Sequence, residues 1–169
     1  KTSGEFEEIT KIGGFYCNVS ADKKKIIFAH RGMPYREKYR GSTNGELWEY
    51  DIKSQAYTKL TETDFTERYP VYSNTQDAVY YAAPAGDVFQ LYKVTGGDYK
   101  NPQALTNFKT WSVRDITIAR ENDRMVFEHF DELWKYDPQT KKASKLEVDI
   151  KQDYLDVFLA KENVHNKAD

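Results

Sequence analysis

The chain has 169 residues and a formal net charge of -2, from 25 basic and 27 acidic side chains. This length suits one ordinary domain with a sizeable core. The basic residues are scattered and leave no field to hold a polyanion, and no apolar run reaches the roughly 18 residues of a membrane span, so neither nucleic acid binding nor membrane insertion is expected.

One pattern of residues occurs three times along the chain. A hydrophobic pair is followed by a Leu-aromatic motif and then by a Leu-Thr or Leu-Glu step. The motif leucines Leu47, Leu91 and Leu133 lie 44 and 42 positions apart, which is the period of a four-stranded propeller blade rather than of a helical-pair repeat. The pairs are Ile27-Phe28, Tyr80-Tyr81 and Val126-Phe127, and the steps are Leu60-Thr61, Leu105-Thr106 and Leu146-Glu147.

Each repeat predicts two hairpins and therefore four strands. Strand A is expected at 17–19, 71–72 and 116–118, and strand B at 26–29, 79–82 and 125–128. Strand C carries the Leu-aromatic motif, and strand D ends at the following leucine. In Leu47-Trp48-Glu49-Tyr50 both aromatic residues point to one face while the charged residue points to the other, as expected where blades stack through aromatic faces.

The predicted fold is all-β, a partial β-propeller of about three full four-stranded antiparallel blades plus flanking strands. Since propellers close with roughly four to eight blades, we expect a fragment of a larger propeller, and its uncovered blade faces predict self-association. The predicted divisions are the last strand of a preceding blade at 1–10, blades at 11–61, 62–106 and 107–147, and a tail or first strand of a next blade at 148–169.

Residue patterns typical of catalysis or metal binding are missing from the sequence. No serine is bracketed as Gly-x-Ser-x-Gly, the strained turn that exposes the nucleophile of many hydrolases. His30, His129 and His165 are far apart with no i, i+4 pair, and the single Cys17 excludes an internal disulfide. We therefore expect no active site, no metal and no cofactor in this chain.

One connection is longer than its counterparts. From strand B to the motif leucine there are 19 positions in the first repeat, Phe28 to Leu47, against 10 and 6 in the others. Long loops on rigid scaffolds often bind ligands, and Tyr with Arg is the mixture enriched at interface hot spots. A loop that covers a neighbouring blade is the alternative. The candidate binding residues in this loop are Arg31, Tyr35, Arg36, Tyr39 and Arg40.

The repeats resemble the propeller units of the TolB and tricorn-protease group, which run strand, Ser-Pro-Asp-Gly, strand, Leu-Trp-x-Tyr-Asp, turn, Leu-Thr. The Ser-Pro-Asp-Gly turn is degraded here, for example to Ser20-Ala21-Asp22-Lys23. Several stretches look most like the N-terminal propeller of bacterial tricorn-like serine peptidases. They are 35–40 leading into Glu46-Leu47-Trp48-Glu49-Tyr50-Asp51, then Arg68-Tyr69-Pro70-Val71-Tyr72-Ser73, Leu105-Thr106-Asn107-Phe108-Lys109 and Val113-Arg114.

This resemblance implies a non-catalytic propeller that serves peptide or protein interaction and substrate access. A PDZ module and a serine-protease domain would lie elsewhere in the same polypeptide, so the parent protein would be a hydrolase although this chain is not. The group also implies a periplasmic or otherwise exported protein, with the cytoplasm as the alternative. Two other functions stay open: a TolB-like envelope scaffold that binds proteins without peptidase activity, and a propeller domain of a carbohydrate- or ester-processing enzyme.

The resemblance further points to the mouth of the central channel. In this group the innermost strand begins after the Leu-Thr step, which places Arg68 and Tyr69 at the same position as Arg114 and its neighbour. Such arginines suit a peptide carboxylate. Pairing with acidic residues such as Asp51 and Asp137 is the structural alternative.

Overall fold

The computed structural model describes residues 8–32 and 39–149. Within these ranges all helical or strand structure is β-strand, and no helix that could span a membrane occurs there. The strands are β1 (Phe15–Val19), β2 (Lys25–His30), β3 (Glu46–Asp51), β4 (Tyr57–Lys59), β5 (Arg68–Tyr72), β6 (Ala78–Ala85), β7 (Val88–Thr95), β8 (Gln103–Ala104), β9 (Val113–Ile118), β10 (Met125–His129), β11 (Glu132–Asp137) and β12 (Lys142–Lys145).

The twelve strands form three four-stranded antiparallel sheets, each with its strands in chain order. We call them blade 1 (β1–β4), blade 2 (β5–β8) and blade 3 (β9–β12). The first strands of neighbouring blades contact one another, β1 with β5 and β5 with β9, so these strands form the inner edge of the stack. The sheets do not close into a ring. The prediction of an all-β, partial propeller of four-stranded blades is therefore confirmed.

Each inner strand begins earlier than the sequence predicts, because a β-bulge interrupts its alternation. The pairing with the second strand shifts register between Phe15 and Asn18 in blade 1, and equivalent shifts occur in blades 2 and 3. Every bulge holds a residue other than glycine at positive φ, a conformation that is uncommon for such side chains. These residues are Tyr16 (φ 57°), Tyr69 (φ 54°) and Asp115 (φ 46°).

The repeated leucines and threonines tie the third strand of a blade to its end. The N–H of Leu60 donates to the carbonyl of Leu47 at 2.8 Å, and the N–H of Leu47 donates to Oγ1 of Thr61 at 2.9 Å. A threonine hydroxyl thus satisfies a backbone group that has no strand partner. The same bonds join Leu105 and Thr106 to Leu91, and Leu146 donates likewise to Leu133.

The core lies between the blades. Side chains of a strand alternate between its two faces. Those on one face of a central strand pack against the preceding blade, and those on the other face pack against the following blade. Between blades 1 and 2 the buried residues include Ile27, Ala29, Leu47, Val79, Tyr81 and Val94. Between blades 2 and 3 they include Tyr80, Leu91, Met125, Phe127 and Tyr136.

The motif tryptophan of blade 3 lies half-buried at the interface with blade 2. Its indole Nε1 donates to Oε2 of Glu132 at 2.9 Å, and the other oxygen of Glu132 binds Nζ of Lys145 at 2.7 Å. The ring of His129 meets the Trp134 ring edge-on, with centroids 5.4 Å apart. Equivalent contacts recur in blade 1 among His30, Glu46, Trp48 and Lys59.

We expect Trp134→Ala to lower the free energy of unfolding by about 3 kcal/mol, because the lost ring leaves a cavity between blades 2 and 3. Trp111, which is 53% exposed and stacks on the exposed Phe130, provides the matched control, and Trp111→Ala should cost less than about 1 kcal/mol. Urea denaturation of both variants measures the difference. Equal losses would contradict the packing role of Trp134.

Candidate functional site

The structure separates the candidate residues of the long loop. Tyr35 and Arg36 lie outside the described residues. Arg31 has a positive φ of 64°, and its Nη1 donates to the carbonyl of Ser42 at 3.3 Å. The Arg40 guanidinium lies 4.7 Å from the centroid of the Phe65 ring. Phe65 belongs to the connection between blades 1 and 2. The hydroxyl of Tyr39 lies close to the backbone of Gly41, where an added Cβ would be 3.1 Å from it.

The candidate residues of the inner strands occupy two different environments. Arg68 and Tyr69 are buried, with 4% and 8% of their surface exposed. The Arg68 guanidinium lies 5.1 Å from the Phe89 ring centroid, and the Tyr69 ring packs 4.2 Å from that of Tyr16. Arg114 is exposed on β9. Asp51 and Asp137, the alternative acidic partners, instead accept backbone N–H groups of the turns that follow them.

Arg31 and Arg68 line one small cavity, together with Phe15 and Tyr16. Its volume of about 10 Å³ is that of a single water molecule. The structure thus brings two of the candidate arginines together but places Arg40 and Arg114 elsewhere. Peptide binding by the eight candidates stays a prediction.

The long loop is bonded to the connection between blades 1 and 2. Nδ2 of Asn44, which is buried, donates to the carbonyls of Thr63 and Phe65 at 2.6 and 2.9 Å. The N–H of Glu67 donates to the carbonyl of Gly45 at 2.9 Å. A Cβ on Gly45 would lie 3.1 Å from the Glu67 carbonyl oxygen, so glycine permits this close approach. Residues 44–45 therefore pack against the connection that leads from blade 1 into blade 2.

Glu67 is a buried carboxylic acid in this connection, with 3% of its surface exposed. Its Oε2 accepts from the hydroxyl of Thr61 and its Oε1 from that of Thr63, the latter at 3.2 Å. Burial raises the pKa of Glu67 to about 7; the two hydroxyls oppose the rise, Glu46 adds to it and Lys59 opposes it. A carboxyl that titrates near neutrality inside a cleft is a recognised mark of functional sites.

A cleft of about 680 Å³ opens at Glu67 between blades 1 and 2. Its aromatic wall includes Tyr81 and Tyr92, whose rings stack with centroids 5.9 Å apart and planes 24° apart. Burial raises the pKa of Tyr81 above its ordinary value, and the nearby Glu67 adds to that shift. The other lining residues are Lys59, Leu60, Thr61, Glu62, Thr63, Phe65, Ala83, Pro84, Tyr99, Lys100 and Pro102.

Sequence reasoning missed Glu67, although the repeat contains a signal for it. Glu67-Arg68 occupies the same place in its blade as Val113-Arg114, and Val113 is completely buried. An acid where another copy of the repeat has a buried valine is the anomaly that would have identified this position. Among residues 8–32 and 39–149, no group of three or more His, Cys, Asp and Glu side chains is arranged to hold a metal ion.

Glu67→Gln should become more stable relative to the natural chain as pH rises from 5 to 8. A buried acid with a raised pKa favours the protonated native state, so its contribution is complete below its ordinary pKa and is lost as pH rises towards about 7. The change should reach about 2 kcal/mol over this range, measured by urea denaturation at several pH values. Glu62→Gln, at a carboxylate whose side chain is 91% exposed, should give no such trend; a flat difference for Glu67→Gln would contradict the burial argument.

Comparison with known proteins places these blades in context. No protein-family model matches the chain. A tricorn protease homologue from Saccharolobus solfataricus is 27% identical over 144 residues, which is 83% of this chain and 13% of that protein. The crystal structure of the tricorn protease superposes with a TM-score of 0.62 at 22% identity, covering 76% of this chain and 12% of the other.

A putative TolB from Agrobacterium tumefaciens has a TM-score of 0.63 at 18% identity, covering 82% of this chain and 51% of the other. The chain thus spans about an eighth of the tricorn proteins and half of the TolB protein. Both groups share the stacked four-stranded blades seen here, and the predicted resemblance is confirmed. The chain thus has the fold of a partial β-propeller and is similar to the propellers of tricorn protease and TolB.

Proposed function

We propose that this chain is a non-catalytic propeller segment of a tricorn-like serine peptidase, where it serves peptide or protein interaction and substrate access. The observation that carries the proposal is the 27% identity to a tricorn protease homologue across 83% of the chain. The PDZ and protease domains would lie elsewhere in the polypeptide, and the resemblance favours an exported, periplasmic protein.

The contacts of the described histidines support a non-catalytic role. Nδ1 of His30 lies 2.7 Å from the carbonyl of Gly13, and the ring packs on Trp48. Nε2 of His129 lies 3.0 Å from the carbonyl of Thr110, with its ring 3.9 Å from that of Phe108. A general base needs a ring nitrogen within reach of a nucleophile, whereas one nitrogen of each of these rings faces a backbone carbonyl and each ring packs on an aromatic side chain.

A TolB-like scaffold that binds proteins without a peptidase is the second candidate. The fit to the TolB structure, with a TM-score of 0.63, is as good as the fit to the tricorn protease. The two functions differ in whether a nucleophilic serine exists in the parent protein. A fluorophosphonate probe, which reacts with activated serines, distinguishes them.

The full-length parent protein should be labelled by the fluorophosphonate, and the 169-residue chain should not. The chain should also bind fluorescein-labelled unstructured peptides in an anisotropy titration, and Arg114→Ala on the inner strand should weaken that binding about fivefold or more. Lys142→Ala removes the same charge from the outer strand β12 and should have no effect. Labelling of the chain itself would contradict the non-catalytic role, and an unlabelled parent protein would favour the scaffold.

A further inference from the structure

The interface between blades 2 and 3 is filled by one aromatic side chain from the connection that joins them. The Phe108 ring lies 3.9 Å from the ring of His129, 5.0 Å from that of Trp134 and 6.2 Å from that of Phe127. The carbonyl of Phe108 accepts from Nε2 of Gln90 at 2.9 Å, which fixes the connection on blade 2. Phe108 therefore acts as a plug between the two sheets.

The equivalent position between blades 1 and 2 is held by Thr63. Thr63 comes three residues after Leu60, as Phe108 comes three residues after Leu105. Its carbonyl also accepts from a side-chain amide, that of Asn44, at 2.6 Å. Asn44 lies in the long loop two residues before Glu46, the strand counterpart of Gln90. The two positions thus match in their distance from the repeat leucine, and each carbonyl accepts a side-chain amide, but a threonine replaces the plug.

Two side chains of blade 2 that face blade 1 are also smaller than their counterparts in blade 3, which face Phe108. The strand register shows which residues correspond. Ala83 of blade 2, opposite Gln90, corresponds to His129 of blade 3, opposite Glu132. Tyr81 and Tyr92 of blade 2 correspond to Phe127 and Trp134 of blade 3. Blade 2 therefore has the methyl group of Ala83 where blade 3 has the imidazole ring of His129. The rings of His129 and Phe108, which help to fill the interface between blades 2 and 3, thus have no counterpart between blades 1 and 2, where a cleft of about 680 Å³ lies.

The charges at this cleft select the kind of ligand. Glu67 lines it as a buried acid, and Nζ of Lys59 is already held by Glu46 at 2.9 Å and Glu62 at 3.6 Å. Lys100 is exposed. An anion entering the cleft would meet Glu67 as a like charge, whereas an ammonium group would find a carboxylate partner among tyrosine rings, whose faces attract cations.

We propose that the cleft between blades 1 and 2 binds a primary ammonium group that carries an aromatic side chain. The ring takes the place that Phe108 fills between blades 2 and 3, and the ammonium group binds the Glu67 carboxylate. A free arylalkylamine and the amino terminus of a peptide with an aromatic first residue share this chemistry.

The test titrates the 169-residue chain with phenethylamine at pH 8 and follows backbone amide NMR shifts. Saturable shifts should appear at the residues that line the cleft. 3-Phenylpropionate has the same ring with the opposite charge and should bind at least tenfold more weakly. No saturable shift, or equal binding of the two probes, would overturn the proposal.

Variants at the plug position show where the ring binds. Thr63→Phe restores the plug and should abolish phenethylamine binding. Thr63→Val loses the same hydroxyl, which donates to Glu67, without filling the space, so it should still bind measurably, though more weakly than the natural chain. Thr58→Phe makes the same change at an exposed position of β4 outside the cleft and should bind within about twofold of the natural chain. Glu67→Gln should weaken binding at least tenfold. Circular dichroism confirms that each variant is folded, and undiminished binding by a folded Thr63→Phe variant would refute the assignment.

Two further probes identify the source of the amine. Phe-Gly-Gly binding as tightly as phenethylamine, with N-acetyl-Phe-Gly-Gly not binding, indicates a peptide amino terminus; binding of phenethylamine alone indicates a free amine. Only the peptide arm rests on the proposed function. A chain that binds phenethylamine but no peptide at any site would therefore remove the proposed function and retain the amine cleft.

Discussion

The burial of both faces of each central strand pair is the constraint on which this structure depends. Tyr80 and Tyr81 are adjacent in β6 and both are almost completely buried, Tyr80 towards blade 3 and Tyr81 towards blade 1. A single four-stranded sheet has no core of its own, so its stability comes from neighbours on either side. The Leu-aromatic repeat meets this requirement, because it places large apolar side chains on both faces of the strand that carries it.

The strands meet that requirement in the same way in each blade, so the variation that distinguishes one interface from another lies in the connections. Thr63 and Phe108 each come three residues after the repeat leucine and each accept a side-chain amide, yet one interface is open and the other is filled. A change of one side chain in a connection leaves the strand register untouched. Because the strands maintain the fold and the connections vary, one interface of a repeated scaffold can hold a binding site that the other interface lacks.

The sequence was sufficient to predict the stack of four-stranded sheets, because the Leu-aromatic motif and the hairpin spacing are local and recur. It was insufficient for the start of the inner strands, since the bulges at Tyr16, Tyr69 and Asp115 break the alternation that marks a strand. The candidate arginines were chosen by composition and position, and burial then separated Arg68 from Arg114. Glu67 was not predicted as a site residue, because its burial depends on tertiary packing of the long loop and the tyrosines of blade 2.

The cost of burying Glu67 bears on its role. At the matching position blade 3 has Val113, completely buried, so the fold accepts an apolar side chain there. An acid whose pKa is raised to about 7 by burial makes the native state less stable at neutral pH than at acid pH. Two threonine hydroxyls hold its oxygens in place, which orients the carboxyl without neutralising it. A destabilising group that is held in a fixed orientation beside an open aromatic cleft is explained by binding, since packing alone would favour valine.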